Sequence, residues 1–407
     1  MDIHNHPCFN AGVRHTAGRI HLAVAPRCNV QCNFCSRKFD CANESRPGVT
    51  TSVMKPRQAV EHLSDVLKRV GNIAVVGIAG PGEPFANPEE TLETLERVRA
   101  AFPDILLCVS SNGLMLAEYV SRLAALNVSH VTVTVNAVDP DVGANVYEWL
   151  FYNKKMYYGR EGAGILLDKQ TQAIRLLKKY GITVKINTVV IPRVNLHHVA
   201  EIARYVAQWG ADIQNCIPLI PVDGTLYESL EEPSPKAMRI IRAQTSLHIE
   251  QMSHCARCRA DAAGLLGNDI GGRLAQERPV RKAQCDFLKR PYIAAASSDG
   301  LTVNQHLGKA SLFRIYRLNN GTVEFVETRR VPAAGCSTNR WDAIAELIPD
   351  CSALLVRGLG RSPYERLQSR GLLVESVDGM IRNIAERLFV DGEIPMDVLR
   401  PNGECNN

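Results

Sequence analysis

Cys28, Cys32 and Cys35 stand in the run C-N-V-Q-C-N-F-C, a CxxxCxxC spacing just past an apolar, strand-like segment from Ile20 to Ala25. Three thiolates this close on one loop can hold three irons of a 4Fe-4S cube and leave the fourth iron without a protein ligand. An open iron can chelate a small molecule, so the spacing points to chemistry rather than to simple electron storage. Gly80-Pro81-Gly82-Glu83-Pro84 supplies a tight turn with exposed backbone and one carboxylate, and Ser111-Asn112-Gly113 and Asn136 add polar groups. All of these fall at the ends of apolar runs, where they could grip an amino acid and a ribose.

The cysteine inventory extends this reading. The chain has thirteen cysteines, an odd number that argues against a disulfide framework. Cys8, Cys28, Cys32, Cys35 and Cys41 crowd the first 41 residues, and Cys255 and Cys258 form a CxxC. Such clustering reads as metal or iron–sulfur ligation and implies an oxygen-sensitive protein.

Elements must carry these groups to one place. Strands are expected at 20–25, 73–79, 105–111, 131–136, 184–190 and 212–217, short and rich in Val and Ile as buried parallel strands are. Amphipathic helices lie between them. In Pro56–Val70, residues Ala59, Val60, Leu63, Val66, Leu67 and Val70 follow helical spacing, and Asn87-Pro88-Glu89-Glu90 reads as a helix start. Six strands each followed by a helix predict an α/β fold, an open, partial (βα)6 barrel with working residues at the carboxyl ends of its strands. Residues 262–290 lose periodicity and read as a linker between a domain over 1–261 and a smaller α/β domain over 291–407. The latter is expected to have strands at 292–297, 312–318, 323–329 and 353–356, and helices near 341–348, 364–369 and 380–389.

The CxxxCxxC loop followed by a GxGEP turn resembles the radical S-adenosylmethionine superfamily. That resemblance implies that Cys28, Cys32 and Cys35 bind a 4Fe-4S cluster whose open iron is chelated by S-adenosylmethionine. It makes Gly80, Gly82, Glu83, Ser111, Asn112 and Asn136 candidate cofactor contacts. The segments H-P-C-F-N (6–10), G-R-I-H-L (18–22), C-A-N-E-S-R-P-G-V (41–49), V-T-V-N-A-V-D-P (133–140) and H-C-A-R-C-R-A-D-A-A-G-L-L-G (254–267) are similar to the NifB family of nitrogenase cofactor maturases. G-L-T-V-N-Q-H-L-G-K-A (300–310) resembles NifX-type domains with a ribonuclease H-like fold, which bind iron–sulfur cofactor precursors.

The family resemblance implies fusion of two further 4Fe-4S substrate clusters, with a carbide from S-adenosylmethionine and an added sulfur, into the eight-iron precursor of the iron–molybdenum cofactor. It also implies cluster donor proteins, cofactor carrier or scaffold proteins and an electron donor such as ferredoxin or flavodoxin as partners. On position, Cys8, Cys41 and Cys108 form one three-thiolate site, and Cys255 and Cys258 a second. Cys285 is a possible third ligand of that second site. The CxxC could equally be half of a zinc site, although no second CxxC lies nearby. Imidazole is a weaker, protonatable ligand suited to a cluster that must shift; His21 is best placed, with His4 and His6 close to Cys8. Glu44 and Arg46 are expected to handle protons or to anchor the cofactor carboxylate. In the tail, His306 is a possible cluster contact and Gly358-Leu359-Gly360-Arg361 a weak anion cradle. Cys336, Cys351 and Cys405 show no ligand spacing.

Two alternatives come from other classes: a different radical enzyme with auxiliary clusters, and a non-catalytic iron–sulfur scaffold. A net charge of +5 without a basic block argues against nucleic acid. No apolar run reaches membrane-spanning length and no signal-like segment opens the chain, so a soluble, cytoplasmic protein is expected.

Overall fold

The computed structural model describes residues 2–46, 48, 50, 53–276, 280–332 and 339–400. Cys336 and Cys405 lie outside the described residues. The chain divides into two compact units, residues 1–273 and 274–407.

In the first unit, β1 (Gly18–His21) and β2 (Val30–Cys32) precede α1 (Pro56–Arg69) and β3 (Ile73–Ile78). Next come α2 (Pro88–Ala101), β4 (Leu106–Ser111), α3 (Val120–Ala125), β5 (Val128–Thr134) and α4 (Pro140–Val146). A hairpin of β6 (Tyr147–Tyr152) and β7 (Lys155–Tyr158) leads into α5 (Gly159–Lys179), β8 (Thr183–Val190), α6 (Val199–Gln208) and β9 (Ile213–Pro218). Then follow α7 (Pro235–Thr245), β10 (Glu250–Gln251), β11 (Ala263–Leu265) and β12 (Asn268–Asp269), and α8 (Gly271–Gln276) runs across the division between the units.

The helices form for local reasons. α1 has Pro56 in its first turn, Lys68 and Arg69 at its carboxyl end, and buries Ala59, Leu63 and Val66 as one stripe. α2 starts at Pro88 with Glu89 and Glu90 in its first turn. Asn87 holds its N-cap position, but its side chain bonds elsewhere, to the Arg27 and Glu83 backbones.

Strands β1, β3, β4, β5, β8 and β9 lie side by side, parallel and in chain order, as the open (βα)6 pattern requires. The sheet ends at β10 on one side and β12 on the other and does not close. Its two faces differ in chemistry. On one, Ile20, Val76, Leu107, Val109, Val131, Val133, Val184 and Ile186 are buried and apolar, and Cys216 packs with Val199 of α6 and Met238 of α7. The alternate positions carry Arg19, His21, Cys108, Ser110, His130, Thr132, Thr134, Lys185, Asn187 and Asn215.

Three features depart from the sequence expectation. The first strand ends at His21 rather than at Ala25; beyond it the chain stays beside β3 through Leu22 N–H donating to Gly77 O at 2.9 Å and a bridge from Ala25 to Pro81. The stretch expected to be a linker supplies β11, antiparallel to β1 with Arg19 opposite Gly264, and β12. Its strands are too short and glycine-rich to show a period. Finally, β2, β6 and β7 form a separate antiparallel sheet that fastens the triad loop, with Cys32 opposite Tyr147.

In the second unit, β13 (Val280–Lys282) pairs with β19 (Glu393–Pro395). A five-stranded sheet holds β14 (Tyr292–Ala296), β15 (Leu312–Asn319), β16 (Thr322–Arg330), β17 (Cys351–Val356) and β18 (Leu373–Ser376), in the order β16-β15-β14-β17-β18. One face packs against α9 (Asn339–Leu347) and α10 (Arg361–Gln368), the other against α11 (Ile381–Val390). Cys351 lies in the first of these cores, and Cys285 packs against the second.

Candidate functional site

Two cavities open on the polar side of the first unit's sheet. One, of about 390 Å³, is lined by Cys28, Cys32, Cys35, Arg37, Cys41, Asn43, Glu44, Gly82, Glu83, Ser110, Ser111, Asn112 and Thr134. The sequence-expected triad, its glycine-rich turn and the end of β4 therefore do meet. The turn is pressed against the triad loop: a Cβ on Gly82 would fall 2.7 Å from the Pro26 carbonyl oxygen and closer still to that of Arg27. Only a glycine passes there. Gly82 N–H donates to Ala25 O at 2.6 Å and Glu83 N–H to Arg27 O at 2.8 Å.

The Glu83 carboxylate accepts from Ser111 Oγ at 2.7 Å, Asn112 N–H at 2.6 Å and Phe85 N–H at 3.1 Å. Burial raises its pKa to about 7 against the pull of these donors. Glu83 thus ties the turn to the end of β4 rather than standing free for a ligand. Asn112 Nδ2 donates to Asn29 Oδ1 at 2.8 Å, beside Cys28. Asn136 lines neither cavity; its Nδ2 donates to Asn43 Oδ1 at 2.9 Å and its Oδ1 accepts from Val189 N–H at 2.8 Å. Asn43 in turn sets Nδ2 3.6 Å from both Cys32 Sγ and Cys41 Sγ. Asn136 reaches the site through that amide.

Burial raises the pKa of the Cys28, Cys32 and Cys35 thiols, and Arg37 pulls each of them down. Burial works against the Arg37 charge, yet the surrounding Cys28, Cys35, Cys41 and Cys32 sulfurs raise its pKa overall. Three thiols on one loop with a guanidinium beside them suit an anionic cluster. With Gly82, Ser111 and Asn112 lining the same cavity as this donor set, it fits a 4Fe-4S cluster with S-adenosylmethionine.

The second cavity gathers Cys8, Cys108, Cys255 and Cys258 with His6, His21, Arg19, Thr132, Lys185 and Asn215. Glu44 and Ser110 line both cavities and mark where they meet. The sequence grouping of Cys8, Cys41 and Cys108 is therefore divided: Cys8 and Cys108 stand with the CxxC, whereas Cys41 lines the triad cavity. Cys285 belongs to the second unit and lines neither cavity.

Three of these thiols are placed by identifiable features. Arg19, 1% exposed, donates from Nε and Nη2 to Cys258 Sγ at 3.3 and 3.1 Å and from Nη1 to Gly264 O at 2.5 Å. His254 Nε2 donates to Pro7 O at 2.9 Å and ties the CxxC loop to the segment bearing Cys8. Cys108 faces the cavity from β4, and burial pushes its thiol up to about 12. Burial likewise raises Cys8 to about 11. Metal ligation replaces these protons.

The hydrogen bonds assign different tautomers to two histidines. His21 Nδ1 donates to Arg259 O at 3.0 Å, which leaves the Nε2 lone pair available. Burial, with Arg19 nearby, lowers its pKa to about 4, so the ring is neutral and competent to ligate. Gly77 beside it has no side chain; a Cβ there would sit 3.1 Å from the imidazole. His6 is the reverse: its Nδ1 accepts from Cys8 N–H at 3.2 Å, so the neutral ring carries its proton on Nε2. His4 is exposed and lines neither cavity.

Glu44 accepts from Thr134 Oγ1 at 3.1 Å and Asn187 Nδ2 at 2.9 Å. Burial raises its pKa, and Lys185, Ser110, Thr134 and Asn187 oppose the rise. Arg46, expected beside it for the same work, is exposed and lines neither cavity. Arg19, Arg37, Asn43, Lys185 and Asn187 were not foreseen. The available signal was polar alternation within apolar strands: Arg19 and His21, Cys108 and Ser110, Thr132 and Thr134, Lys185 and Asn187. In the second unit, the two weak signals are neighbours, since Leu307 N–H donates to Gly358 O at 2.9 Å next to His306.

Comparison with known proteins agrees with this geometry. The Radical SAM superfamily profile matches residues 22–206, and the dinitrogenase iron-molybdenum cofactor profile matches residues 289–390. The FeMo cofactor biosynthesis protein NifB of Chlorobaculum tepidum is 48% identical over 395 residues, covering 96% of this chain and 93% of that protein. The Klebsiella pneumoniae protein of the same name is 37% identical, covering 94% and 89%, and that of Azotobacter vinelandii 34%, covering 97% and 90%. No helix among the described residues is long and apolar enough to cross a membrane. A 4Fe-4S cluster with S-adenosylmethionine is the cofactor pair that the Radical SAM profile implies and the triad cavity suits, and the chain belongs to the NifB family of FeMo cofactor biosynthesis proteins.

Proposed function

We propose that this enzyme builds the eight-iron precursor of the nitrogenase iron–molybdenum cofactor by joining two 4Fe-4S substrate clusters around a carbide derived from S-adenosylmethionine, with one added sulfur. The observation that carries the reading is the pair of cavities meeting at Glu44 and Ser110. One has the triad and the glycine-rich turn; the other has four more thiols and two imidazoles. When bound, the triad's cluster and S-adenosylmethionine supply a methyl group and a 5′-deoxyadenosyl radical.

The chain's own residues divide the remaining work. Cys28, Cys32 and Cys35 hold the cofactor cluster, and Gly82 with Ser111 and Asn112 shapes the adjoining pocket, which Gly80 does not line. Cys8 and Cys108, with Cys41 reaching from the triad side, hold the first substrate cluster at the junction. Cys255 and Cys258 hold the second, with Arg19 fixing the Cys258 sulfur. His21 gives a neutral imidazole that can release its iron while the clusters join. Glu44, half-buried where both cavities meet, is placed to hold or pass a proton between them. The second unit holds product or docks the cofactor carrier, with cluster donors and a ferredoxin or flavodoxin as the other partners.

The test is to incubate the reduced, cluster-loaded protein with S-adenosylmethionine. Both S-adenosylhomocysteine and 5′-deoxyadenosine are expected. Release of 5′-deoxyadenosine alone would point to a different radical enzyme, and release of neither to a scaffold.

A further inference from the structure

Lys185 lies on β8 inside the second cavity and is 8% exposed. Among the described residues its Nζ has no hydrogen bond and no ion pair; the Phe9 ring, with its centroid 5.4 Å away, is what it faces. Glu44 and the cavity thiols act on this charge from a distance, but none pairs with it directly, and buried charges are ordinarily paired. Three atoms of the same lining are buried without a partner: His6 Nε2, Thr132 Oγ1 and Asn215 Oδ1. Thr132 is the register partner of Lys185 across β5 and β8, and Asn215 is that of Asn187 across β8 and β9.

Their polarity can be assigned. Glu44 accepts from Asn187 Nδ2, so Asn187 presents Oδ1 to Asn215 Nδ2 at 3.2 Å, and Asn215 is left with an acceptor. His6 offers an N–H, because its Nδ1 already accepts from Cys8. Thr132 offers a hydroxyl, and Lys185 three N–H groups. The unmatched groups are thus mainly donors around one cation, with an amide oxygen able to steady the ammonium. Their natural complement is an anionic body with acceptors on several sides, not a metal cation.

We propose that Lys185, with His6 and Thr132, binds the inorganic sulfides of the iron–sulfur substrate and is its counter-ion, a substrate contact distinct from the cysteine ligands. The inference rests on the reading of this cavity as a substrate-cluster site. Thiolates hold the irons from one side, while the donor face holds the sulfides from the other. A product that gains charge and sulfur would stay anchored to that face while thiolates exchange.

The test uses the full chain, reconstituted anaerobically with iron and sulfide, as wild type, Lys185→Met, Lys185→Arg and a Cys28/Cys32/Cys35→Ala variant that isolates the non-triad iron. Lys185→Met replaces an unpaired cation with an apolar chain of similar length, so the metal-free protein should melt at the same or a higher temperature. The loaded variant should lose its non-triad iron to a chelator roughly tenfold faster, the scale of one charge-assisted hydrogen bond. Its non-triad reduction potential should move negative, because a nearby positive charge favours the reduced cluster. Lys185→Arg should restore the potential. Wild-type chelation kinetics and potential in Lys185→Met would overturn the role of Lys185 alone. A triad variant that retains no iron would overturn the cavity reading itself, and this inference with it.

Discussion

Glu44 Oε2 accepts from Asn187 Nδ2 at 2.9 Å, and the same amide nitrogen lies 3.1 Å from Asn43 O. One side chain of β8 thereby fixes the loop that follows the triad and the carboxylate shared by both cavities. Glu44→Gln keeps the shape but removes the exchangeable carboxyl proton. Iron content and S-adenosylmethionine binding should stay within the wild-type range, while formation of the fused product should fall about a hundredfold, the lower end of general acid–base assistance. Unchanged single-turnover product yield would remove Glu44 from proton handling.

Arg19 is tested through Cys258. Arg19→Leu strands the Cys258 sulfur and the Gly264 and Leu265 carbonyls that the guanidinium now satisfies. The metal-free protein should lose about 3 kcal/mol of stability in urea, the usual scale for breaking a buried charged hydrogen-bond set. The non-triad iron should fall while the triad cluster's spectrum persists.

Cys41 separates two groupings of the thiols. If it holds the first substrate cluster with Cys8 and Cys108, Cys41→Ala, Cys8→Ala and Cys108→Ala should show the same iron deficit with an intact S-adenosylmethionine-responsive signal. Loss of that signal in Cys41→Ala alone would assign its thiol to the triad cavity it lines.

Glu83 gives a pH dependence with a definite sign. Its folded-state pKa of about 7 lies above the ordinary 4.5, so the folded protein binds this proton more readily than the unfolded chain. Stability from this group is therefore present at low pH and is lost as pH rises from about 4.5 to about 7. The loss is on the order of 3 kcal/mol at 1.36 kcal/mol per unit. Asp40 and Glu44 are raised in the same direction by burial, so the wild-type slope is a sum. The difference between wild type and Glu83→Gln in urea midpoints at pH 5 and pH 7.5 isolates Glu83, and equal slopes would contradict its assigned burial.

Gly82→Ala places a methyl against the Pro26 and Arg27 carbonyls. The turn must move, at about 1–3 kcal/mol, the range for overpacking a tight site. S-adenosylmethionine should then no longer perturb the cluster's paramagnetic spectrum, although iron bound by the triad is retained.

What the sequence made legible follows from how locally each feature is encoded. The triad and the Gly80–Pro84 turn each sit in one loop, so spacing alone reveals them. The six parallel strands show as short apolar runs. Lys185, Thr132 and Asn187 were hidden in those same runs, because an alternating polar face inside an apolar strand looks like noise until the register is known. Arg19 was hidden for the same reason, since a charged strand residue ordinarily faces water. The partition of Cys8, Cys41 and Cys108 could not be read at all, since it depends on the His254 contact to Pro7, a meeting of two distant loops.

The pairing of β11 with β1 also sets an order of events. Arg19 is made well before its partners Cys258, Gly264 and Leu265, which lie 239, 245 and 246 residues further along the chain. Until they emerge, the second cavity lacks one wall and two of its thiols. The connectivity of the sheet therefore keeps that cavity unfinished until β11 has been made, late in the synthesis of the first unit.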